Sequence, residues 1–124
     1  MDKNIIIVAD DSDIIGNIIK TALNNTYDVL VAKNGQECIN LLAANQNRKI
    51  TGLFLDLMMP QSDGFIVLDF FKANNLFERI PVCIISGDDT KETISRAFTY
   101  NIIDMINKPF GIQDVIQMVE KMKI

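Results

Sequence analysis

The sequence predicts a doubly wound α/β domain: a five-stranded parallel sheet covered by helices on both faces. Three observations carry this expectation. Five short runs rich in Ile, Val and Leu recur along 124 residues, and each is followed by a stretch whose apolar residues repeat at helical spacing. The runs are apolar throughout rather than alternating, so both faces of each strand need cover, and in a parallel sheet the crossover helices supply it. The length, with 48% apolar and 23% charged residues, suits one domain over residues 1–124 with a core of its own.

The first strand, residues 4–9, ends abruptly at Asp10-Asp11-Ser12-Asp13. Ile14, Ile15, Ile18, Ile19, Ala22 and Leu23 then mark one apolar face of a helix that Ser12 or Asp13 would cap and Asn24-Asn25 would close. A second strand over 27–32 leads through Asn34-Gly35 into a helix with Cys38, Ile39, Leu41 and Leu42 inward, and residues 45–49 form a polar connection. The third strand, 51–55, carries Asp56 at its end, before Met59-Pro60 breaks the pattern. The third helix starts at Asp63-Gly64, runs through Phe71 and ends near Asn74-Asn75. The fourth strand spans 80–85, with Pro81 near its start, where a missing N–H does least harm, and stops at Ser86-Gly87. A fourth helix is expected over 89–100 with Ile94, Ala97 and Phe98 inward, and a fifth strand over 102–106 breaks at Lys108-Pro109. The last helix, 112–123, presents Ile112, Val115, Ile116, Val119 and Met122.

Composition removes several classes of function. Without a histidine there is no Ser-His-Asp or Cys-His nucleophile, few routes to a catalytic zinc, and no phosphohistidine on this chain. Cys38 and Cys83, each inside an apolar segment, read as small buried hydrophobes rather than a disulfide or a metal pair. The net charge of −4 with Lys and Arg scattered singly argues against direct nucleic-acid binding. No apolar run approaches a membrane span, and the first residues lack the pattern of a signal peptide, so the expected location is the cytoplasm.

In doubly wound sheets the working site lies beyond the carboxyl ends of the strands. Asp10 and Asp11 stand there after the first strand, Asp56 after the third, Ser86 after the fourth and Lys108 after the fifth. Read singly, the two acids could cap a helix, Ser86 could close a turn and Lys108 could be a surface charge. Together they make another arrangement. Carboxylates gathered within a few ångströms either take up protons or share a hard divalent cation, and Mg²⁺ with an open position suits a phosphoryl group. Lys108 and the Ser86 hydroxyl would hold further phosphoryl oxygens, leaving Asp56 as the nucleophile of an acyl phosphate.

Asp10-Asp11, Asp56 with Met59-Pro60 and Asp63-Gly64 behind it, Ser86-Gly87, and Lys108-Pro109-Phe110 together resemble the receiver domain of two-component response regulators, along essentially the whole chain. The resemblance implies a flavodoxin-like sheet of order 2-1-3-4-5 and phosphorylation of Asp56 by a histidine kinase or phosphotransfer protein. It implies Mg²⁺ held by Asp10, Asp11, Asp56 and the backbone carbonyl of Met58, with Ser86 following the phosphoryl group and Lys108 pairing with Asp56 or the phosphate. It also implies a cis peptide between Lys108 and Pro109. Partners would meet the face of the fourth helix, fifth strand and fifth helix, as a separate target, an attached output domain or a phosphorylation-dependent dimer. One position departs from the pattern: where receivers carry an aromatic ring that turns inward, this chain has Met105.

Two other readings use the same residues. A dehalogenase-like phosphatase also places an Asp nucleophile after a strand, but needs a second acid two residues on, where Met58 stands. A pseudo-receiver would keep the fold without the chemistry, and the complete set of acids and lysine argues against it. The third helix is apolar almost all round, and Ile66 and Phe70 read as a fuller core or singly exposed residues, with a protein contact on this helix as the alternative.

Overall fold

The computed structural model describes residues 3–59, 64–87 and 90–123. Its elements alternate as expected: β1 (Ile5–Ala9), α1 (Asp13–Leu23), β2 (Asp28–Ala32), α2 (Gly35–Ala44), β3 (Ile50–Asp56), α3 (Gly64–Ala73), β4 (Val82–Ser86), α4 (Lys91–Ala97), β5 (Asp104–Asn107) and α5 (Ile112–Met122). The strands form one parallel sheet in the order β2-β1-β3-β4-β5.

The period-2 geometry of a strand divides each apolar run between two cores. Ile5, Ile7, Leu53, Leu55, Val82 and Ile84 face one side with residues of α2 and α3, while Ile6, Val8, Phe54, Cys83 and Ile85 face the other with α1 and α5. Every residue of β1, β3 and β4 is buried. That explains why these runs show no alternation of polarity.

Helix boundaries follow local chemistry. Ser12 caps α1 by accepting from the Ile15 amide, Asn34 caps α2 by accepting from Glu37, and Thr90 caps α4 by accepting from Thr93. After α3, Asn75 takes up the left-handed conformation at φ 55° and a short 3-10 turn, Leu76–Glu78, carries the chain into β4.

Several expectations are corrected. The fourth helix is shorter at both described ends, stopping at Ala97, and Phe98 is 54% exposed rather than inward because it is the C-cap, where the chain leaves the helix. Ile14 and Ile112 are also exposed. Each lies in a first turn, where side chains lean towards the helix N-terminus and so project past the sheet edge. On α5, Met118 is buried instead, joining Val115, Val119 and Met122. The fifth strand starts two residues late and ends one later than expected, and β4 includes Ser86. Pro60, Asp63 and Asp89, which figured in the expected boundaries, lie outside the described residues.

Candidate phosphoryl-acceptor site

Strand register brings the acidic residues together. Ala9 pairs with Leu55, which sets Asp10, the next residue, beside Asp56; Asp56 pairs with Ile85, and Ser86 pairs with Asn107 next to Lys108. Because the strand order reverses direction around β1, the crevice opens at the carboxyl ends of β1 and β3. One carboxylate oxygen each from Asp10, Asp11 and Asp56 lies within 4.8 Å of the others.

The cluster is held by its surroundings. Asp10 is fully buried and Asp56 is 4% exposed, whereas Asp11 is open to solvent. The Ser12 amide donates to Asp10 Oδ1 at 2.8 Å and the Met58 amide to Asp56 Oδ1 at 3.0 Å. Lys108 Nζ lies 3.3 Å from Asp56 Oδ2, to which it donates, and 3.2 Å from Asp10 Oδ2. The second contact is a charge contact without hydrogen-bond geometry, so Asp10 Oδ2 is buried with no hydrogen bond. The Lys108 ammonium offsets part of the charge on this buried oxygen, and its lone pairs stay open to a second cation. The lysine reaches both acids, although the sequence pointed only to Asp56.

Burial raises the pKa of Asp56 above the ordinary carboxylate value. The Met58 amide and Lys108 pull it down, while the neighbouring charge of Asp10 adds to the rise. Lys108 shows the opposite balance: its partial burial disfavours the ammonium, but the charges of Asp56 and Asp10 outweigh that and raise its pKa. It therefore remains a cation at neutral pH. Hard oxygen donors around a buried, unbonded carboxylate oxygen fit a hydrated divalent cation of the Mg²⁺ kind, which retains open positions.

The other side of the site is set by backbone. Ser86 is 2% exposed at the end of β4, and its carbonyl accepts from the Lys108 amide at 2.7 Å. The Lys108–Pro109 peptide is cis. Gly64 opens α3 so close to β3 that a Cβ would stand 2.7 Å from the Asp56 carbonyl oxygen and 2.8 Å from the Leu57 Cα. Asp63-Gly64 was legible in the sequence only as a helix start; the need for glycine is a tertiary contact. The Met58 side chain is 63% exposed, and no acid occupies that position.

Two contacts that tie α3 to α4 and to the segment just after it have no signal in the sequence because their members lie far apart. The Tyr100 hydroxyl donates to Asp69, and the Arg96 guanidinium stacks 3.8 Å from the centre of the Phe65 ring. Met105 is half-buried and, like Tyr100, packs against the core on that side of the sheet. Ile66 is 45% exposed, whereas Phe70 packs partly into the same core, which fits a fuller core with Ile66 exposed singly.

Sheet order, crevice and acidic cluster define the chain as a receiver-type signalling domain, and the comparisons agree. Residues 6–120 match the response regulator receiver domain, and the chain belongs to that family. It is 38% identical to response regulator RR06 of Streptococcus pneumoniae over 86% of this chain, though it spans only 47% of that relative. It is 33% identical to chemotaxis protein CheY1 of Helicobacter pylori over 85% of both chains. Among solved structures, the receiver domain of Francisella response regulator 1452 superposes with a TM-score of 0.78 at 30% identity, covering 98% of this chain and 97% of the other. A phosphoacceptor role fits the family, and among the described residues no helix is long and apolar enough to cross a membrane.

Proposed function

We propose that Asp56 is the phosphoacceptor of a two-component switch, taking its phosphoryl group from a phosphohistidine on a kinase or phosphotransfer protein. The observation that carries this reading is the near-buried Asp56, flanked by Asp10 and Asp11 and contacted by Lys108 at 3.3 Å. Asp10, Asp11, Asp56 and the Met58 carbonyl would hold Mg²⁺. That cation, when bound, offsets the charge of the clustered carboxylates and of the incoming phosphoryl oxygens.

The chain's own residues account for the rest. The Met58 amide fixes one Asp56 oxygen, so the other faces the crevice beside Lys108. That oxygen attacks phosphorus, the bond from phosphorus to the donor imidazole nitrogen breaks with its electrons going to nitrogen, and an acyl phosphate forms on Asp56. Lys108 follows the charge from carboxylate to phosphoryl group as a point charge. The Ser86 hydroxyl, at the end of β4, takes a phosphoryl oxygen and draws the following segment and α4 with it, so the protein-facing surface changes. Output passes to a separate protein or to a domain attached to this one; the match to response regulator RR06 covers only 47% of that relative.

Incubation with phosphoramidate or acetyl phosphate and Mg²⁺ is expected to add one phosphoryl mass to the intact protein. The addition is expected to disappear with EDTA or in Asp56→Asn. Addition that survives Asp56→Asn would move the acceptor elsewhere.

A further inference from the structure

The end of the sheet opposite Asp56 holds a feature that the phosphoacceptor chemistry leaves unused. Between the C-terminal ends of α2 and α3, below the start of β3, lies a cavity of about 550 Å³, within the range of small-molecule sites. Its apolar wall includes Leu42, Phe70, Leu76 and Ile80, and its polar edge includes Lys49 and Arg79. Phe70 thereby acquires a role that an amphipathic helix does not require of it: it walls the cavity.

The two exposed cations differ from the third on this rim. Arg48, on the same rim, is engaged by Asp28 at 2.6 Å and by the Lys3 carbonyl. Among the described residues, the side chains of Lys49 and Arg79 have neither an ion-pair nor a hydrogen-bond partner. Both also line a second cavity of about 570 Å³, where Glu78 stands among the lining residues without pairing to either. Unpaired positive charge beside an apolar recess, in a chain of net charge −4, is complementary to one kind of ligand.

The mouth is also preformed. Asn45 donates its side-chain amide to the Leu41 carbonyl at 2.8 Å, and Asn74 donates to the Phe70 carbonyl at 2.9 Å. Both helix ends that frame the opening are therefore closed by their own residues. A ligand would not have to order them, which removes one cost of binding.

We infer that this cavity is a binding site for a small amphipathic anion, a carboxylate with an apolar tail. The tail lies against Phe70 and Leu76, and the head group sits between Lys49 and Arg79. The site is separate from Asp56 and does not depend on the phosphoacceptor reading.

The test is a titration of the ¹⁵N-labelled full chain with sodium octanoate at fixed ionic strength, beside 1-octanol and inorganic phosphate. Octanoate is expected to give saturable amide shifts confined to Ala43, Phe70, Leu76 and their neighbours. In Lys49→Ala/Arg79→Ala its affinity is expected to fall about tenfold, with the melting temperature and Mg²⁺-dependent phosphorylation retained. 1-Octanol is expected to bind as weakly as octanoate does to the variant, and phosphate not to saturate. Equal affinity in wild type and variant, equal binding of 1-octanol, saturation by phosphate alone, or shifts centred on the Asp56 loop would each overturn the assignment.

Discussion

α1 and α4 flank the same crevice but are attached to the sheet very differently. α1 buries Ile15, Gly16, Ile19 and Leu23, is capped by Ser12, and is tied to the chain after β2 by the Asp13–Lys33 ion pair. α4 has seven residues, of which Ala97 alone is buried, and it is tied to α3 by the Arg96–Phe65 stack, with the Tyr100–Asp69 hydrogen bond just beyond its end. The difference teaches where rigidity and movement are placed. Asp10 and Asp11 precede the well-packed helix, so the acids are preorganised. Ser86 precedes the loosely packed one, so a small pull on its hydroxyl meets little resistance. Regions with few buried apolar contacts open at low free energy.

The largest effect is expected when one inward-facing isoleucine is truncated on each helix. Ile19→Ala, at a fully buried position, is expected to cost roughly 2–5 kcal/mol in urea unfolding. Ile94→Ala, half-buried on α4, is expected to cost about 1 kcal/mol. Equal losses would mean that α4 is as well anchored as α1.

Next in size is Gly64→Ala, which forces a Cβ against backbone that cannot swing aside. Overpacking of this kind costs about 1–3 kcal/mol. Because the atoms displaced belong to Asp56 and Leu57, phosphorylation by small donors is expected to slow as well, as followed by intact mass.

The acidic side can be sharpened by pH. The folded state raises the pKa of Asp56, so between the ordinary carboxylate value and the raised one the folded protein binds the extra proton and unfolding free energy falls as pH rises. Below that window the contribution is absent, and above it the whole penalty is carried. Asp56→Asn removes it. In EDTA the variant is expected to melt above the wild type at neutral pH, with the gap closing as pH falls through the window. A gap that widens on acidification would contradict the burial argument.

The smallest effect is expected just beyond the end of α4. Tyr100→Phe removes one exposed hydrogen bond to Asp69 and is expected to cost about 0.5 kcal/mol. Hydrogen exchange would show it as faster exchange in α4 with α1 unchanged. Faster exchange in both helices would mean that the two do not open independently.

Strand number, the helix after each strand and the acids at the strand ends were determined by the sequence itself. Apolar runs of strand length and helical spacing are local patterns, and Asp10, Asp56, Ser86 and Lys108 each end such a run or follow it directly. Exposure at helix ends was not local: Ile14, Phe98 and Ile112 carry the right residue type, but whether a first turn or a cap meets the sheet depends on how far the sheet extends. Only tertiary structure decided that Lys108 lies near two acids rather than one, that Gly64 has no room for a Cβ, and that Phe70 walls a cavity beside Lys49 and Arg79. Each of these is a distance between segments remote in sequence, and no periodicity within a single segment encodes it.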